Sequence, residues 1–314
     1  MSIGIEAIAG YVPLGRRDNL ERLEAFGVTA DFIDNKIGVR ALPVKGPDED
    51  TSDLACRAIE AVLAQSGRAR HDVDALVLCT QNPDGYGLPH TSAIVHGKLG
   101  LGKQCLAFDI SLGCSGFVYG LATLQSLMEA QGLKTGLLVT ADPYSKVVSI
   151  EDKNTSLLFG DAAAATLLTS PAEGAPRLRL VKALFGTDGT ERQALEVGPD
   201  RVLRMNGREV FNFSATTVPT QIKDLLAAAH LTIADIDLFL FHQGSKYIVD
   251  TLVRRLGLPP EKVPIAIGET GNTVSSSIPL ILRHHLAPGA DRRILVSGFG
   301  VGLSYASAIL EWSS

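Results

Sequence analysis

The sequence lacks the features that mark membrane, exported and nucleic-acid-binding proteins. Its longest apolar runs, such as 137–139 and 238–241, are far shorter than the roughly 20 residues that span a bilayer. Residues 1–10 show no basic flank followed by an apolar signal core, so nothing there predicts export. The formal charge of −5 gives no polybasic field that would attract nucleic acid. We therefore expect a soluble cytoplasmic protein whose partners include neither a membrane nor nucleic acid.

Cysteines and closely spaced metal ligands are also scarce. The four cysteines, Cys56, Cys79, Cys105 and Cys114, form no CxxC pair, which argues against a disulfide framework and predicts reduced thiols. Zinc needs Cys and His ligands at short spacing, and the seven histidines are scattered apart from the pair at 284–285. We therefore predict no metal site.

Hydrophobic residues, by contrast, make up 46% of the 314 positions, enough to bury one large core or two fused smaller ones. Short apolar runs rich in β-branched residues alternate with amphipathic stretches, which predicts an α/β fold. The predicted strands are 75–79, 106–110, 137–140, 238–241, 263–267 and 294–297. The predicted helices are 52–65, 116–131, 214–230, 246–256 and 278–286.

The order of these elements indicates that the chain contains two similar halves. In each half a helix leads through an Asp-X-Asp turn, at 72–74 or 235–237, into a buried strand. Matching later strands and closing segments follow in the same order at 137–140 and 294–297 and at 164–167 and 307–310. A repeat this long is not a solenoid, whose units span roughly 20–50 residues. We predict two duplicated α/β halves, 1–170 and 171–314, joined at the turn-rich stretch 170–174.

Duplication brings equivalent loops together where the halves meet, and ligand sites often form at such junctions. Cys114 and Asn272 hold equivalent positions at helix starts, and His242 follows a strand of the second half. We therefore predict that these three side chains face one cleft.

Cys114 lies in the segment 109–117, where a strand turns sharply into a long helix. Gly113 and Gly116 permit a tight turn and the close approach of a substrate. The positive end of the helix dipole and its unpaired N–H groups favour a thiolate, which makes Cys114 a candidate nucleophile toward a thioester. The alternative is a buried structural cysteine, an interpretation that suits the other three.

His242 and Asn272 each have an ordinary structural interpretation beside the functional one. His242 follows the apolar run 238–241, and the carboxyl end of a buried strand is where α/β proteins build their sites. A histidine there can equally be a core residue whose ring is bonded to backbone. Asn272, in the segment 268–277, can be an ordinary helix cap.

A GxGxG run at Gly298, Gly300 and Gly302 raises the question of a dinucleotide site. Its spacing is not GxGxxG, and it lies at the end of the chain with no βαβ unit after it. We interpret the glycines of this run as backbone positions without side chains, which leave room for a thioester.

Taken together, the segments around Cys114, His242 and Asn272 resemble β-ketoacyl-acyl-carrier-protein synthase III over nearly the whole chain. The Cys-His-Asn set, the Gly-Asn-Thr motif at 271–273 and the glycine-rich segment 298–302 fall in that family's order. Thiolases, elongating synthases and chalcone synthases also use a cysteine but are longer, and the first two give it different partners. The resemblance implies the thiolase-like α/β fold, with two duplicated βαβαβαββ-type halves packed as a layered αβαβα sandwich.

The same resemblance implies a decarboxylative Claisen condensation. Cys114 would take an acyl group from a thioester, with the backbone N–H groups of Cys114 and Val301 holding the oxyanion. His242 and Asn272 would then stabilise the enolate that a malonyl thioester forms as it loses carbon dioxide, and this enolate would attack acyl-Cys114 to give a β-ketoacyl product. The implied partners are acyl-coenzyme A and malonyl-coenzyme A or malonyl-acyl-carrier protein, with no cofactor, in a homodimer.

Further positions carry over from the resemblance alone. Phe32, Lys36 and Lys153 stand where the family has a tryptophan and two arginines beside coenzyme A. Phe159 matches the aromatic wall beside the nucleophile, and Leu88 a residue donated across the dimer to the acyl pocket. The other implied substrate-binding positions are Met205, Gly207, Phe211, Gly244 and Ser245.

Several of these positions depart from the family pattern. Gly244 and Ser245 replace the usual alanine and asparagine, lysine replaces arginine at 36 and 153, and the segment between 189 and 205 is short. Lysine keeps the charge but loses the planar fork of guanidinium. These changes favour a specialised synthase of secondary metabolism over a housekeeping one.

Two other functions stay open. Acyl-Cys114 could pass its group to an alcohol, an amine or water without decarboxylation, although the presence of Asn272 weighs against this. The chain could also be a non-catalytic partner subunit, but such proteins usually lose part of the Cys-His-Asn set, and function has to be argued from the site rather than from the fold.

Overall fold

The computed structural model describes residues 3–171, 175–287 and 293–313, which form one large mixed sheet with helices on both faces. The strands are β1 Gly4–Tyr11, β2 Gly15–Asp18, β3 Ala41–Val44, β4 Ala75–Cys79, β5 Leu106–Ile110, β6 Thr135–Ala141, β7 Ala163–Thr169, β8 Leu178–Thr187, β9 Leu195–Val197, β10 Leu203–Met205, β11 Leu238–Phe241, β12 Arg293–Gly300 and β13 Ser304–Trp312. The α-helices are α1 Leu23–Phe26, α2 Ala30–Phe32, α3 Thr51–Ser66, α4 Thr91–Leu99, α5 Gly116–Gln131, α6 Lys153–Ser156, α7 Gly207–Ala228, α8 Lys246–Leu256, α9 Ile267–Thr270 and α10 Ser277–Leu282.

Local sequence signals explain where the long helices begin and end. At the start of α3, the Asp50 side chain accepts from the Thr51 N–H, and Asp53 accepts in return from the Asp50 N–H. This capping box satisfies N–H groups that the helix itself cannot pair. Gly67 ends α3 in the left-handed conformation that glycine adopts at little cost. Helix α8 begins with the Ser245 side chain accepting from the Ile248 N–H, and it ends at Gly257 in the left-handed conformation.

The strand order repeats across the sheet. The order β1-β7-β6-β4-β5 runs from the centre to one edge, and β8-β13-β12-β11 runs from the centre to the other. Within each series, the first three strands pair antiparallel with one another, and the fourth strand pairs parallel with the third. Within the described residues, strand pairing links the two series where Ile5 in β1 meets Leu178 in β8.

The helices complete five layers. Helices α3 and α4 cover the outer face of the first series, and α7 and α8 cover the outer face of the second. Helices α5 and α10 lie between the two series, where Phe117 and Ile278 belong to one apolar cluster with Val77 of the first series and Leu240 of the second. The predicted α/β architecture with αβαβα layering is therefore confirmed. Among the described residues, no helix has both the length and the apolar character needed to cross a bilayer.

Most predicted elements are present, but three need correction. Residues 263–267 are not a strand, because Pro264 has no N–H to give a neighbour and the Ala266 N–H donates to the Gln243 side chain at 3.1 Å. Helix α7 begins at Gly207 rather than at 214, since Asn206 supplies the cap. The last predicted helix ends at Leu282 and continues as one 3₁₀ turn.

The division at 170/171 stays a prediction. Residues 172–174 of the predicted joint lie outside the described residues.

Candidate active site

Cys114 lies in the loop that joins β5 to α5, and strand β12 packs closely against it. A Cβ on Gly116 would lie 2.2 Å from the Cys79 sulfur, so the loop can pass Cys79 only with glycine there. A Cβ on Gly298 would lie 2.6 Å from the Cys114 carbonyl oxygen, and one on Gly300 would lie 2.6 Å from the Cys114 sulfur. Glycine is therefore needed at the first two positions of the GxGxG run because strand β12 packs directly against the cysteine, whereas a Cβ on Gly302 would meet nothing within 4 Å.

His242 follows β11 and is held by contacts of both its backbone and its ring. Its backbone N–H donates to the Ser297 carbonyl of β12 at 2.9 Å. The ring nitrogen Nδ1 lies 2.8 Å from Ser277 Oγ, and the ring packs edge-on against Phe299 with centroids 5.7 Å apart. Because Phe299 stands between the two glycines that contact Cys114, the imidazole and the thiol share one segment of β12 as their support.

Asn272 is fixed by backbone and side chain together. Its N–H donates to the Leu158 carbonyl at 2.9 Å and its carbonyl accepts from the Gly160 N–H at 3.1 Å. The side-chain oxygen accepts from the Val274 N–H at 2.9 Å, and Nδ2 donates to the Gly244 carbonyl at 3.4 Å. With the oxygen engaged by the Val274 N–H and one N–H directed at Gly244, the amide presents its remaining N–H to a ligand.

These three side chains line one cavity of about 350 Å³. The other predicted site residues that line it are Lys36, Phe159, Met205, Gly207, Phe211, Gly244 and Ser245. Phe32, Lys153, Val301 and Leu88 are not among its lining residues, although Val301 donates a backbone hydrogen bond to the Cys114 sulfur. Lys153 is exposed beside Asn154, which does line the cavity, and Leu88 is 93% exposed on the surface.

The cavity mouth contains residues that the sequence analysis did not assign to the site. The Tyr247 ring stacks on Phe211 with centroids 5.2 Å apart, and Lys36 Nζ lies 3.6 Å from the centre of the Tyr247 ring. Arg208, in the first turn of α7, also lines the mouth. In the sequence, Tyr247 and Arg208 were indicated only by the aromatic and basic composition of 207–211 and 246–247, which is common on protein surfaces.

The part of the chain that the structure describes contains no cluster of three His, Cys, Asp or Glu side chains that could hold a metal ion.

Two family models match this chain. The model of 3-oxoacyl-[acyl-carrier-protein (ACP)] synthase III matches residues 108–189, and the model of its C-terminal part matches residues 226–312. A β-ketoacyl-[acyl-carrier-protein] synthase III of Clostridium perfringens is 34% identical over an alignment of 319 positions, which covers 96% of this chain and 96% of the relative. The chain belongs to the 3-oxoacyl-[acyl-carrier-protein] synthase III family.

Solved structures agree with this assignment. The chain is similar to a crystal structure of a 3-oxoacyl-(acyl-carrier-protein) synthase III with a TM-score of 0.92 and 33% identity, over 99% of this chain and 100% of the other. It is also similar to the priming β-ketosynthase from the R1128 polyketide biosynthetic pathway, with a TM-score of 0.87 and 28% identity, over 98% and 96% of the two chains. The predicted family and its thiolase-like fold are confirmed.

The electrostatics of the synthase III site correct one expectation. Burial raises the pKa of the Cys114 thiol to about 12, although the Val301 N–H partly counteracts this. Burial likewise lowers the pKa of His242 to about 3. At neutral pH the free enzyme therefore carries a thiol and a neutral imidazole, not the thiolate that the helix position predicted. Helix α5 begins only at Gly116, and the loss of hydration outweighs its dipole.

Gly300→Ala should disable the nucleophile without unfolding the chain. The added methyl would lie 2.6 Å from the Cys114 sulfur, so the thiol must move. A misplacement of about 1 Å in a reacting atom can cost on the order of 10²-fold in rate. We expect that loss in the rate of acyl-Cys114 formation, measured by intact-protein mass spectrometry. Gly97→Ala, in α4, is the control because its Cβ would meet nothing within 4 Å. Equal rates in the two variants would contradict the proposed contact.

Proposed function

We propose that Cys114, His242 and Asn272 carry out the condensation that defines this family. The observation that carries the proposal is that all three line one cavity, with Cys114 and His242 held against the same segment of β12. As a synthase III family member, the enzyme is an acyltransferase that condenses an acyl thioester with a malonyl thioester and releases carbon dioxide.

In the first half-reaction, the Cys114 sulfur attacks the carbonyl carbon of the acyl thioester. Since the free thiol is protonated and His242 is neutral, His242 Nε2 accepts the thiol proton as the sulfur–carbon bond forms. The carbonyl oxygen becomes an oxyanion, and the backbone N–H groups of Cys114 and Val301 stabilise it. When the tetrahedral intermediate collapses, the coenzyme A sulfur leaves with the proton from His242, and acyl-Cys114 remains.

In the second half-reaction, a malonyl thioester enters the same cavity. Its thioester oxygen accepts hydrogen bonds from His242 Nε2 and the Asn272 amide, which stabilise the enolate as carbon dioxide leaves. The enolate carbon attacks the carbonyl of acyl-Cys114, and the Cys114 thiolate is expelled. One proton from solvent then restores the thiol, so condensation consumes one proton for each carbon dioxide released.

The cavity mouth supports a thioester with an anionic carrier. Lys36 and Arg208 place two cations beside the stacked rings of Phe211 and Tyr247. Phosphate groups pair with such cations, and aromatic faces suit adenine or the pantetheine arm. We assign the mouth to coenzyme A or to the phosphopantetheine of a carrier protein.

A homodimer in the cytoplasm is part of the same proposal. Tyr86 and Leu88 are 80% and 93% exposed, and large apolar side chains displayed together are typical of a surface that a partner covers. In the dimer, Leu88 would complete the acyl pocket of the partner subunit.

The lysines at 36 and 153 and the short segment 189–205 support a specialised acyl donor rather than the housekeeping one.

The proposal is tested by mixing the purified enzyme with a panel of acyl-coenzyme A donors and recording intact masses. We expect one class of donor to add its acyl mass to the protein, and malonyl thioester to remove that mass while carbon dioxide is released. An enzyme that takes no acyl group from any donor would overturn the proposal. Removal of the acyl group without carbon dioxide would instead identify simple acyl transfer or hydrolysis.

A further inference from the structure

We infer that Ser277 is a positioning residue that lets His242 carry its proton on either ring nitrogen. The inference rests on the proposed roles of Cys114 and His242. It concerns the first residue of α10, which lies behind the imidazole, on the side of Nδ1.

The hydrogen bonds of Ser277 define its possible roles. The residue is 3% exposed, and its Oγ lies 2.8 Å from His242 Nδ1. The same oxygen lies 3.1 Å from the Val274 carbonyl and accepts from the Gln243 N–H at 3.4 Å. Its single hydroxyl proton can therefore go either to the Val274 carbonyl or to Nδ1, but not to both.

Each choice produces a different imidazole. When the hydroxyl donates to Val274, Nδ1 carries the proton and donates to Ser277, which leaves Nε2 with a lone pair. When the hydroxyl donates to Nδ1, the proton of the neutral ring must lie on Nε2. A hydroxyl accepts and donates, so it stabilises both tautomers, whereas a carbonyl or carboxylate at this position would stabilise only the first.

The two half-reactions need these two imidazoles in turn. Acyl transfer needs a bare Nε2 that can take the thiol proton, and decarboxylation needs an Nε2–H that can donate to the malonyl oxygen. Between the steps Nε2 gains one proton from water that enters the cavity as coenzyme A leaves. Nδ1 loses one proton to the Ser277 hydroxyl, which releases its own proton toward a second cavity that Ser277 lines. Ser277 thus allows one neutral histidine to act as acceptor and then as donor.

The test compares Ser277→Ala with Ser277→Thr in separate assays of the two half-reactions. In the alanine variant the Val274 carbonyl is the nearby acceptor left for Nδ1, so the tautomer with a bare Nε2 is favoured. We expect malonyl-coenzyme A decarboxylation to fall by roughly 10²-fold, the lower range for a positioned proton donor. Formation of acyl-Cys114 should fall by less than about 10-fold, and Ser277→Thr, which keeps the hydroxyl, should restore decarboxylation.

Ser276→Ala is the matched control for loss of a buried hydroxyl. Ser276 is 0% exposed, and its Oγ bonds to Thr140 at 2.9 and 3.0 Å rather than to His242. If Ser277→Ala slows both half-reactions equally, or no more than Ser276→Ala does, the inference is overturned. The wild-type enzyme is assayed in parallel, so that failure of this inference can be distinguished from failure of the proposed function. Failure of the wild type to form acyl-Cys114 would overturn that function itself.

Discussion

Replacing Cys114 by alanine will abolish acyl-enzyme formation and lower condensation by on the order of 10³-fold or more, the scale seen when a nucleophile is removed. Alanine has no sulfur to bond the acyl carbon, while the backbone N–H groups that would hold the oxyanion stay in place. Intact-protein mass spectrometry after incubation with a reactive acyl-coenzyme A donor measures the adduct, and carbon dioxide release measures turnover.

The other cysteines provide the controls for this experiment. Burial raises the pKa of Cys56 and of Cys105 to about 11, and neither lines the active-site cavity. Cys56→Ala and Cys105→Ala should therefore keep the full acyl adduct. An adduct that persists in Cys114→Ala, or disappears in either control, would mean that another thiol is the nucleophile.

The second large effect is a separation of the two half-reactions by Asn272→Ala. In the proposed mechanism the amide is one of two donors to the enolate oxygen, and removal of one such donor typically costs about 10²- to 10³-fold in rate. We expect decarboxylation and condensation to fall by that amount, while acyl-Cys114 forms at close to the wild-type rate and accumulates. Stopped reactions analysed by intact mass would show the acyl-enzyme as the dominant species.

Gln243→Ala is the matched control, because it removes a buried amide next to His242 that does not line the catalytic cavity. Gln243 is 2% exposed, donates to the Phe241 carbonyl at 2.9 Å and accepts from the Ala266 N–H at 3.1 Å. Its loss should affect folding stability and leave the ratio of the half-reactions unchanged. If Asn272→Ala also leaves that ratio unchanged, Asn272 has only a structural role.

The expected thiolate at Cys114 shows how a local signal can mislead. A cysteine before a helix predicts a lowered pKa when the thiol is partly hydrated. In the fold, Gly298 and Gly300 bring β12 against the cysteine and exclude water from it, so that the desolvation of the charged form dominates. The sequence contains these glycines, but their distance from the sulfur depends on strand pairing far along the chain.

The sequence alone determined the α/β architecture, because buried strands and amphipathic helices differ in hydrophobic period. It also indicated Cys114, His242 and Asn272, because each follows a recognisable strand or glycine turn. Only the tertiary structure decided the protonation of Cys114, the contact of Ser277 with His242 and the failure of residues 263–267 to form a strand. Burial, hydrogen-bond partners and strand edges depend on which distant segments become neighbours, and no local pattern specifies that.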